Sequence, residues 1–410
     1  MTLPLDGVVV ADYSQYVAGP LCTLLLADLG ADVIKVEPPQ GDQWRRQEPC
    51  GVDVSRPFIA LNRNKRSVVI DLKSPQGRRR SSDLIARSDV MVHNLPADRA
   101  EQFGLDRESV LAANPESIIV RISALGSDGP KGGSPGYDLS AQAASGLLMA
   151  DARIGDPVPI RAGGIAMADL GAGMLGAVAA LAGLLRARAQ GVGGELEVSL
   201  LGAGLTVQVQ RFVSVAAHDG TAGEPASAAT RADLDAVAQE AALGLRVNPY
   251  YRAYAAADGF ITVACLNLAQ RSALLAACDV VDPSAVNPDE PPSSAQEARR
   301  RERVGEAVAA AVFERPVREC VGWLRARGVP CEEVRTLSGL FEDAQVKANG
   351  LVQTIDQPDM GPVQLLGSPF KLDGEFVTAR RPAPGRGEHT SEVFDAEPRL
   401  TPAPAGDSRA

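Results

Sequence analysis

Histidine and paired cysteines, the usual ligands of protein metal centres, are scarce in this sequence. Its three histidines, His93, His218 and His389, lie far apart, and its six cysteines include no Cys-x-x-Cys pair. Scattered histidines offer no ligand cluster and make a Ser-His-Asp triad a poor candidate. Scattered cysteines indicate neither a zinc site nor a disulfide framework. We therefore expect no bound metal and reduced, packed thiols.

Basic residues are also fewer than acidic residues in this sequence. The chain has 41 basic and 51 acidic residues, a formal net charge of −10, which argues against nucleic acid or an anionic membrane as a general partner. The first residues, MTLPLDGVVVADY, lack the basic segment and apolar core of a secretory signal. With 45% hydrophobic and 22% charged residues, the composition predicts a folded cytoplasmic protein.

The opening segment, GVVVADYSQYVAGPLCTLLLADLGADVIKVEPP, alternates strand and helix patterns. It predicts a strand over Val8–Ala11, a helix over Gly19–Leu29 and a strand over Val33–Glu37. This is a parallel β-α-β unit, and Glu37 falls about where a dinucleotide-binding fold keeps its ribose carboxylate. The turn DYSQYVAGP lacks the G-x-G-x-x-G glycines that let backbone approach a pyrophosphate. The pattern predicts a doubly wound α/β architecture and argues against a nicotinamide cofactor.

Asp169 is the single acidic residue in GGIAMADLGAGMLGAVAALAGLLRAR, from Gly163 to Arg188. An Asp at the mouth of an apolar helix commonly serves as its N-cap. The same position suits a reactive anion, because the helix dipole keeps the carboxylate ionised and small neighbours leave room for a bulky ligand. These residues alone leave both roles open. The Ala- and Gly-rich helix is a weak membrane-span candidate and is predicted to lie in the core.

A set of segments spread along nearly the whole chain carries a family resemblance. In chain order they are AGPLCTLLLADLGADVIKVEPPQGD, FIALNRNKRSVVIDLKSPQG, SDVMVHNL, GSDGP, PGYDLSAQAASGL, ADLGAG, GSPFKL and APGRGEHT. Together they resemble the family III acyl-CoA transferases of the CaiB/BaiF type, a family that also contains 2-methylacyl-CoA racemases.

The resemblance implies an α/β fold with a Rossmann-like large domain built from both chain ends and a smaller α+β domain between them. Residues 1–215 are then predicted to begin the large domain, 241–330 to form the small domain and 331–397 to return to the large one. The Ala-, Gly- and Ser-rich stretch 216–240 is predicted to be a linker, and 398–410 a disordered tail. The resemblance also implies an interlocked homodimer.

An Asp in the position of Asp169 is the nucleophile in transferases of this type, and the resemblance implies that role here. The carboxylate would form a mixed anhydride with the acyl group, then a CoA thioester that a second carboxylate accepts. No permanently bound cofactor is implied, since coenzyme A is itself a substrate beside a small carboxylic acid. The flanking glycines are expected to let the pantetheine arm approach and to offer N–H groups to oxyanions.

The resemblance further implies a set of CoA contacts in loops. They are Gln15, Tyr16, Val17 and Ala18 in SQYVAGP; Ile70, Asp71, Leu72 and Lys73 in IDLK; Asn94, Leu95 and Pro96 in HNLP; and Arg99 and Tyr137. Lys73 and Arg99 are the phosphate candidates, because the phosphates of CoA need cations or N–H donors. Surface Lys and Arg also serve for solvation alone. Formyl-CoA transferases carry Gln at Val17 and Arg at Pro38, so formyl-CoA or oxalate specificity is not implied.

Two alternatives stay open. A racemase of the same family needs two acid/base groups that flank the α-carbon of the substrate, and racemases carry His in the place of Tyr137 and Glu in the place of Asn267. A phenol with a pKa of about 10 and an amide cannot supply that pair at neutral pH. The other alternative is a catalytically inactive CoA-binding relative, against which the intact Asp169 counts.

Overall fold

A computed structural model describes residues 2–215, 229–283 and 294–395 and divides the chain into two compact units. Within the described residues, the first unit comprises 2–147, 163–214 and 344–395. The second comprises 148–162, 215, 229–283 and 294–343. Each unit is therefore assembled from segments that are distant in sequence.

A parallel sheet forms the centre of the first unit. Its strands and the short β3-β4 hairpin are β1 (Val9–Asp12), β2 (Asp32–Glu37), β3 (Pro49–Gly51), β4 (Val54–Ser55), β5 (Arg66–Val69), β6 (Val90–His93), β7 (Ile118–Ser123) and β8 (Gly194–Ser199). The six sheet strands follow the order β5-β2-β1-β6-β7-β8, and all neighbours run parallel. This order reverses direction between β1 and β6, as in doubly wound folds. The predicted α/β class is confirmed.

Helices cover both faces of this sheet. They are α1 (Ala18–Asp28), α2 (Arg56–Asn62), α3 (Pro75–Ile85), α4 (Ala97–Phe103), α5 (Arg107–Ala113), α6 (Asp138–Ala144), α7 (Met167–Gln190) and α8 (Leu200–Thr206). Val10 packs in a core with residues of α1 and α7, whereas the next residue, Ala11, packs in a core with residues of α3 and α5. Consecutive strand residues are therefore apolar, because both faces of a parallel sheet are buried.

Helix α7 lies against α1 through small residues. A Cβ atom at Gly173 would lie 2.8 Å from the Ala18 carbonyl oxygen and 2.9 Å from Leu21 Cβ, and one at Gly176 would lie 3.2 Å from Cys22 Sγ. These contacts advance together along the two helices, so the helices run parallel. Among the described residues, α7 is the one helix long and apolar enough to cross a membrane. Its packing on α1 shows a core helix, as predicted.

The second unit holds a three-stranded antiparallel sheet with helices. Its elements are α9 (Arg231–Val247), β9 (Tyr251–Ala256), β10 (Gly259–Ala264), α10 (Leu268–Cys278), α11 (Ala295–Phe313), α12 (Val317–Arg325) and β11 (Cys331–Glu333). The strand order is β11-β10-β9. Ile261 and Val263 on the central strand pack with Leu274 of α10 and Val308 of α11 in one buried core.

The carboxyl-terminal segment completes the first unit. It contains α13 (Ala344–Ala348), β12 (Val352–Gln357), β13 (Gly361–Leu366), β14 (Lys371–Leu372), β15 (Glu375–Phe376) and α14 (Thr390–Phe394). The His389 N–H donates to the Ser67 carbonyl at 2.9 Å, and the Val69 N–H donates to Thr390 Oγ1 at 3.1 Å. This segment is thus bound along β5, more than 300 residues earlier in the chain.

Several predicted boundaries differ from the structure. Val263 of β10 pairs with Cys331 of β11, so the second unit continues to Asp343 instead of ending at residue 330. Leu148–Ala162 belongs to the second unit, where Ala152 packs with Leu234 of α9.

The structure describes only part of the predicted linker and none of the predicted tail. Residues 216–228 of the predicted linker lie outside the described residues, as does the whole predicted tail, 398–410. The linker prediction is wrong from Arg231 onward, because α9 begins there. A stretch rich in Ala satisfies helix propensity as well as it satisfies a linker composition.

Candidate active site

The carboxyl ends of β1 and β6 lie side by side where the strand order reverses, which is where doubly wound sheets bind ligands. The Gln15 N–H, in the loop after β1, donates to Asn94 Oδ1 at 3.1 Å, and Asn94 Nδ2 donates to the Gln15 carbonyl at 2.8 Å. Asn94 follows β6 directly; Leu95 is half-buried and Pro96 exposed at the start of α4. Two of the predicted contact segments are therefore joined by reciprocal hydrogen bonds.

Ser14 anchors the loop after β1. Its N–H and Oγ donate to Asp12 Oδ1 at 3.0 and 2.5 Å, and its carbonyl accepts from Lys35 Nζ at 3.0 Å. Tyr16 then has φ 70°, a left-handed conformation that is uncommon outside glycine. Val17 is the buried residue before α1, and Ala18 begins that helix. The bonds to Ser14 and Gln15 hold the unfavourable turn at Tyr16 in place.

An aromatic cluster surrounds Tyr16. Its ring meets Trp44 at a centroid distance of 5.5 Å and Tyr137 at 5.7 Å, both edge to face. Burial raises the pKa of Tyr16, and the neighbouring Tyr137 and Asp42 raise it further, so this phenol is neutral at physiological pH. The Tyr137 side chain is 68% exposed. The cluster thus offers a neutral aromatic surface beside the loop.

Buried charges lie beneath this loop. Asp12 Oδ2 accepts from Lys65 Nζ at 3.1 Å and from Thr23 Oγ1 at 2.6 Å, and both ionic side chains are fully buried. Burial alone would raise the pKa of Asp12, but Lys65, Lys35 and two hydroxyl donors lower it to about 2. Burial lowers the pKa of Lys65 to about 8 against the opposing effect of Asp12. Both groups therefore carry charge at neutral pH.

Asp138, not Asp169, caps α7. The helix begins at Met167, so Asp169 is its third residue, and the N-cap position is Ala166, which makes no side-chain cap bond. Asp138 Oδ1 accepts from the N–H groups of Ala168 at 3.0 Å and Asp169 at 3.2 Å. Such bonds satisfy orphan donors of a first turn. The expectation that Asp169 caps its own helix is wrong, because a carboxylate 31 residues earlier occupies those donors.

The packing of α7 on α1 sets the position of Asp169 relative to α1. Gly173, which meets Ala18, is one helical turn beyond Asp169 on the same face, since residues four apart in a helix lie above one another. Because α1 and α7 run parallel, the turn before Gly173 lies level with the residues before Ala18. The first turn of α7, which carries Asp169, therefore lies towards the amino-terminal end of α1, and the positive end of the α7 dipole is at this turn.

The glycines near Asp169 have two different roles. A Cβ at Gly171 would lie 3.3 Å from Ala203 Cβ of α8, and Gly173 is closed by α1. Gly163 and Gly164 have φ of 58° and 69°, and a Cβ at Gly164 would meet nothing within 4 Å. The expected room for a ligand arm is therefore absent at Gly171 and Gly173, which pack helices, whereas the space at Gly164, before α7, is open.

The predicted contacts Ile70–Lys73 follow β5, at the same edge of the sheet. Since β5 lies two strands from β1, these residues begin about 10 Å from the first loop along the sheet edge. Ile70 is buried and Leu72 half-buried, whereas Asp71 and Lys73 are exposed. Arg99, on α4, is exposed and donates to Gln102 Oε1 at 2.7 Å. Both phosphate candidates thus reach solvent at the carboxyl edge.

Glu37, the residue in the place of a ribose-binding acid, is already engaged. Its Oε1 and Oε2 accept from Arg45 at 2.7 Å each, and Oε1 also accepts from Ser67 Oγ at 2.5 Å. These bonds lower the pKa of Glu37 against the effect of burial. Within the described ranges, no three His, Cys, Asp or Glu side chains converge as a metal site.

Sequence reasoning missed the residues that support the site. Asp138 lies in the segment PGYD, in which the sequence predicts only Tyr137 as a contact. The hydrogen bonds of Asp138 go to a helix that is remote in sequence, so they leave no local sequence pattern. Lys35 did leave a signal, because a charged residue within the apolar strand VIKVE requires a buried partner. The sequence analysis also did not predict a role for Trp44, which lies in a short 3-10 turn, Gln43–Arg46, that Asp42 caps.

Comparison with known proteins identifies the family of this chain. The chain belongs to CoA-transferase family III, whose family model matches residues 5–390, so the resemblance seen in the sequence is confirmed. Succinyl-CoA:glutarate CoA-transferase of Mus musculus is 29% identical over 395 residues, covering 95% of this chain and 86% of that protein. Formyl-CoA:oxalate CoA-transferase of Streptomyces avermitilis is 29% identical over 406 residues, covering 97% and 96%.

A solved structure has the same fold. The crystal structure of a CAIB/BAIF family protein from Brucella suis superimposes with a TM-score of 0.76 at 26% identity and covers 96% of this chain and 99% of its own.

Replacing Asp138 by Ala should loosen the start of α7. Loss of the cap is expected to lower the free energy of unfolding by about 1–2 kcal/mol and to speed hydrogen exchange at the Ala168 and Asp169 amides. Asp106→Ala, which removes the cap of α5, is the matched control and should cost similar stability without changing exchange at those two amides. Unchanged exchange in Asp138→Ala would show that the cap does not hold this turn.

Proposed function

We propose that this chain transfers CoA from an acyl-CoA thioester to a small carboxylic acid, with Asp169 as the nucleophile. The observation that carries the proposal is the position of Asp169 in the first turn of α7, the helix packed on α1, in a member of CoA-transferase family III. The printed names of its relatives pair CoA donors with carboxylates: succinyl-CoA with glutarate and formyl-CoA with oxalate.

The proposed reaction begins with attack of an Asp169 carboxylate oxygen on the thioester carbonyl. The C–S bond breaks, leaving a mixed anhydride and CoA thiolate. The thiolate then attacks the side-chain carbonyl of Asp169, which releases the donor acid as its carboxylate and leaves an aspartyl-CoA thioester. The acceptor carboxylate repeats the two steps in reverse. The thioester bond energy is conserved because no step requires water as a nucleophile.

The helix terminus suits this chemistry. Asp169 lies at the positive end of the α7 dipole, which stabilises negative charge there, and the Gly164 N–H, before the helix, is a candidate donor to the tetrahedral oxyanions. CoA is proposed to enter the crevice between the Ser14–Val17 and Asn94–Pro96 loops, with Ile70–Lys73, Arg99 and Tyr137 as further contacts. Coenzyme A is a substrate for this family, and no other cofactor is invoked.

Asp169→Asn should abolish transfer while the protein stays folded and binds CoA. The amide keeps the size of the side chain but lacks the nucleophilic oxyanion. Mass spectrometry of the wild-type protein after incubation with acyl-CoA should detect an adduct on Asp169, and the variant should show none. Glu108→Gln, in the first turn of α5, is the control and should transfer normally. Transfer by Asp169→Asn, with deamidation excluded, would contradict the covalent route, and a wild-type protein without any adduct would favour an inactive CoA-binding relative.

The racemase alternative lacks its two proton-transfer groups. Tyr137 is a phenol, and Asn267 is engaged as the N-cap of α10: its Oδ1 accepts from the Gln270 N–H at 2.9 Å. An amide fixed as a helix cap neither gives nor takes a proton in the neutral range. These side chains support transfer over racemisation.

Incubation in heavy water separates the two reactions. A racemase exchanges the α-hydrogen of a 2-methylacyl-CoA with solvent, whereas a transferase leaves that C–H bond intact. We expect no deuterium in the acyl group and transfer of CoA to at least one member of a carboxylate panel that includes glutarate and oxalate. Tyr137→His should add at most weak exchange, since the second base is still missing. Rapid uptake without transfer would overturn the proposed function.

We also propose that the chain is a homodimer of interlocked subunits. Supporting this, α7 carries exposed Met174, Val178 and Leu185 along one side, 52%, 62% and 70% exposed. Apolar residues in such a row mark an interaction surface. An interlocked pair cannot separate without unfolding, so light scattering of a dilution series should show no folded monomer. A stable monomer at low concentration would contradict the proposal. Cytoplasmic location, and the absence of nucleic acid or membrane partners, stay predictions.

A further inference from the structure

Lys35 is a charged residue in the middle of the parallel sheet. Its Nζ lies 2.8 Å from Asp42 Oδ2, and both side chains are completely buried. Burial by itself lowers the pKa of Lys35, and the carboxylates of Asp42, Asp12 and Glu37 more than offset that effect. Replacing a buried ion pair by apolar residues is often neutral or stabilising. Stability alone therefore gives little reason for the pair.

The pair connects two segments of the candidate site. Lys35 Nζ donates to the Ser14 carbonyl at 3.0 Å, at the base of the turn that holds Tyr16. Asp42 Oδ1 accepts from the Trp44 N–H at 2.9 Å, and the Asp42 N–H donates to Glu37 Oε2 at 3.0 Å. One ion pair thus joins the backbone before Tyr16 to the backbone that carries Trp44.

The two aromatic rings at the ends of this connection touch each other. Tyr16 and Trp44 meet at 5.5 Å, and Tyr16 is held at φ 70°. A non-glycine residue in that region is strained and persists only where its surroundings enforce it. The bond from Lys35 to Ser14 is one of the restraints that enforce it.

We propose that Lys35 and Asp42 are positioning residues for the CoA site: their buried ion pair sets the Tyr16 turn and the Trp44 turn relative to each other, and so shapes the aromatic wall of the crevice. The inference rests on the proposed function for the identity of the ligand. Neither side chain reaches the ligand, and both act through Tyr16 and Trp44.

The chain offers a direct reporter of this wall. It contains two tryptophans, and Trp323 lies in α12 of the second unit. In a Trp323→Phe parent, fluorescence comes from Trp44 alone. The test variant is Lys35→Met with Asp42→Asn, which removes both charges together and so leaves no unpaired buried ion. The Asn side chain retains an acceptor for the Trp44 N–H.

The matched control is a second buried ion pair. Arg63 and Asp28 lie 2.5 Å apart and are almost fully buried. Asp28 is the last residue of α1, at the end of this helix that is far from the candidate site. Arg63→Met with Asp28→Asn therefore removes an equivalent pair about 15 Å farther along the helix.

In the Lys35 double variant, the Kd for CoA and the KM for acyl-CoA are expected to rise about tenfold, with kcat within about threefold of the parent. Acrylamide should quench Trp44 more strongly than in the parent. The Arg63 double variant should match the parent in all of these. Lys35→Leu with Asp42→Asn, which also removes both charges together, repeats the test if the first double variant does not fold.

A folded variant that binds CoA as tightly as the parent, with unchanged quenching of Trp44, would overturn the inference. An equal loss of CoA affinity in the Arg63 control would also overturn it, because the effect would then be general destabilisation. Failure of the proposed function is seen separately, as a parent protein that binds no CoA before any substitution at Lys35.

Discussion

The close approach of α7 to α1 is the constraint on which the rest of the first unit depends. Four glycines inside α7 each cost about 0.5–1 kcal/mol relative to Ala, and the helix tolerates them because they allow contact with its neighbours. At Gly173 the neighbouring atom is a backbone carbonyl, that of Ala18, which cannot turn aside as a side chain can. The position of α7 is therefore fixed by the start of α1. The position of Asp169, in the first turn of α7, depends on the same contact.

Buried charge is the second organising feature. The free energy needed to bury a single ion explains why the buried ions lie close together. A single ion moved into the sheet edge would be strongly unfavourable, so Asp12, Lys65, Lys35 and Asp42 occur as a connected group with hydroxyl and carbonyl partners. Asp12, with its pKa near 2, holds Ser14 by two bonds. The ionic group therefore gives the Ser14–Val17 loop a fixed shape in the absence of any ligand.

The sequence predicts those features that have a local pattern. The apolar strands, the doubly wound order and Asp169 at a helix start follow from hydrophobic periodicity, which the parallel sheet imposes. The limits of the second unit do not, because β11 is three residues long and belongs to its sheet only through pairing with β10. Asp138 and the partner of Lys35 could not be predicted either, because each acts on backbone brought near by folding, although Lys35 itself stands out as a charge within an apolar strand.

The separation of cap and proposed nucleophile follows from what each role requires. A carboxylate that accepts two backbone N–H bonds at a helix start is held in one orientation by them, and its lone pairs are less available for attack. Asp138 takes those bonds from Ala168 and Asp169, and its other oxygen accepts from Gln142 Nε2 at 2.8 Å. Asp169, at the third helix position, experiences the same dipole without serving as the cap. The arrangement places one carboxylate at the positive end of the helix dipole, while a second carboxylate, that of Asp138, caps the helix.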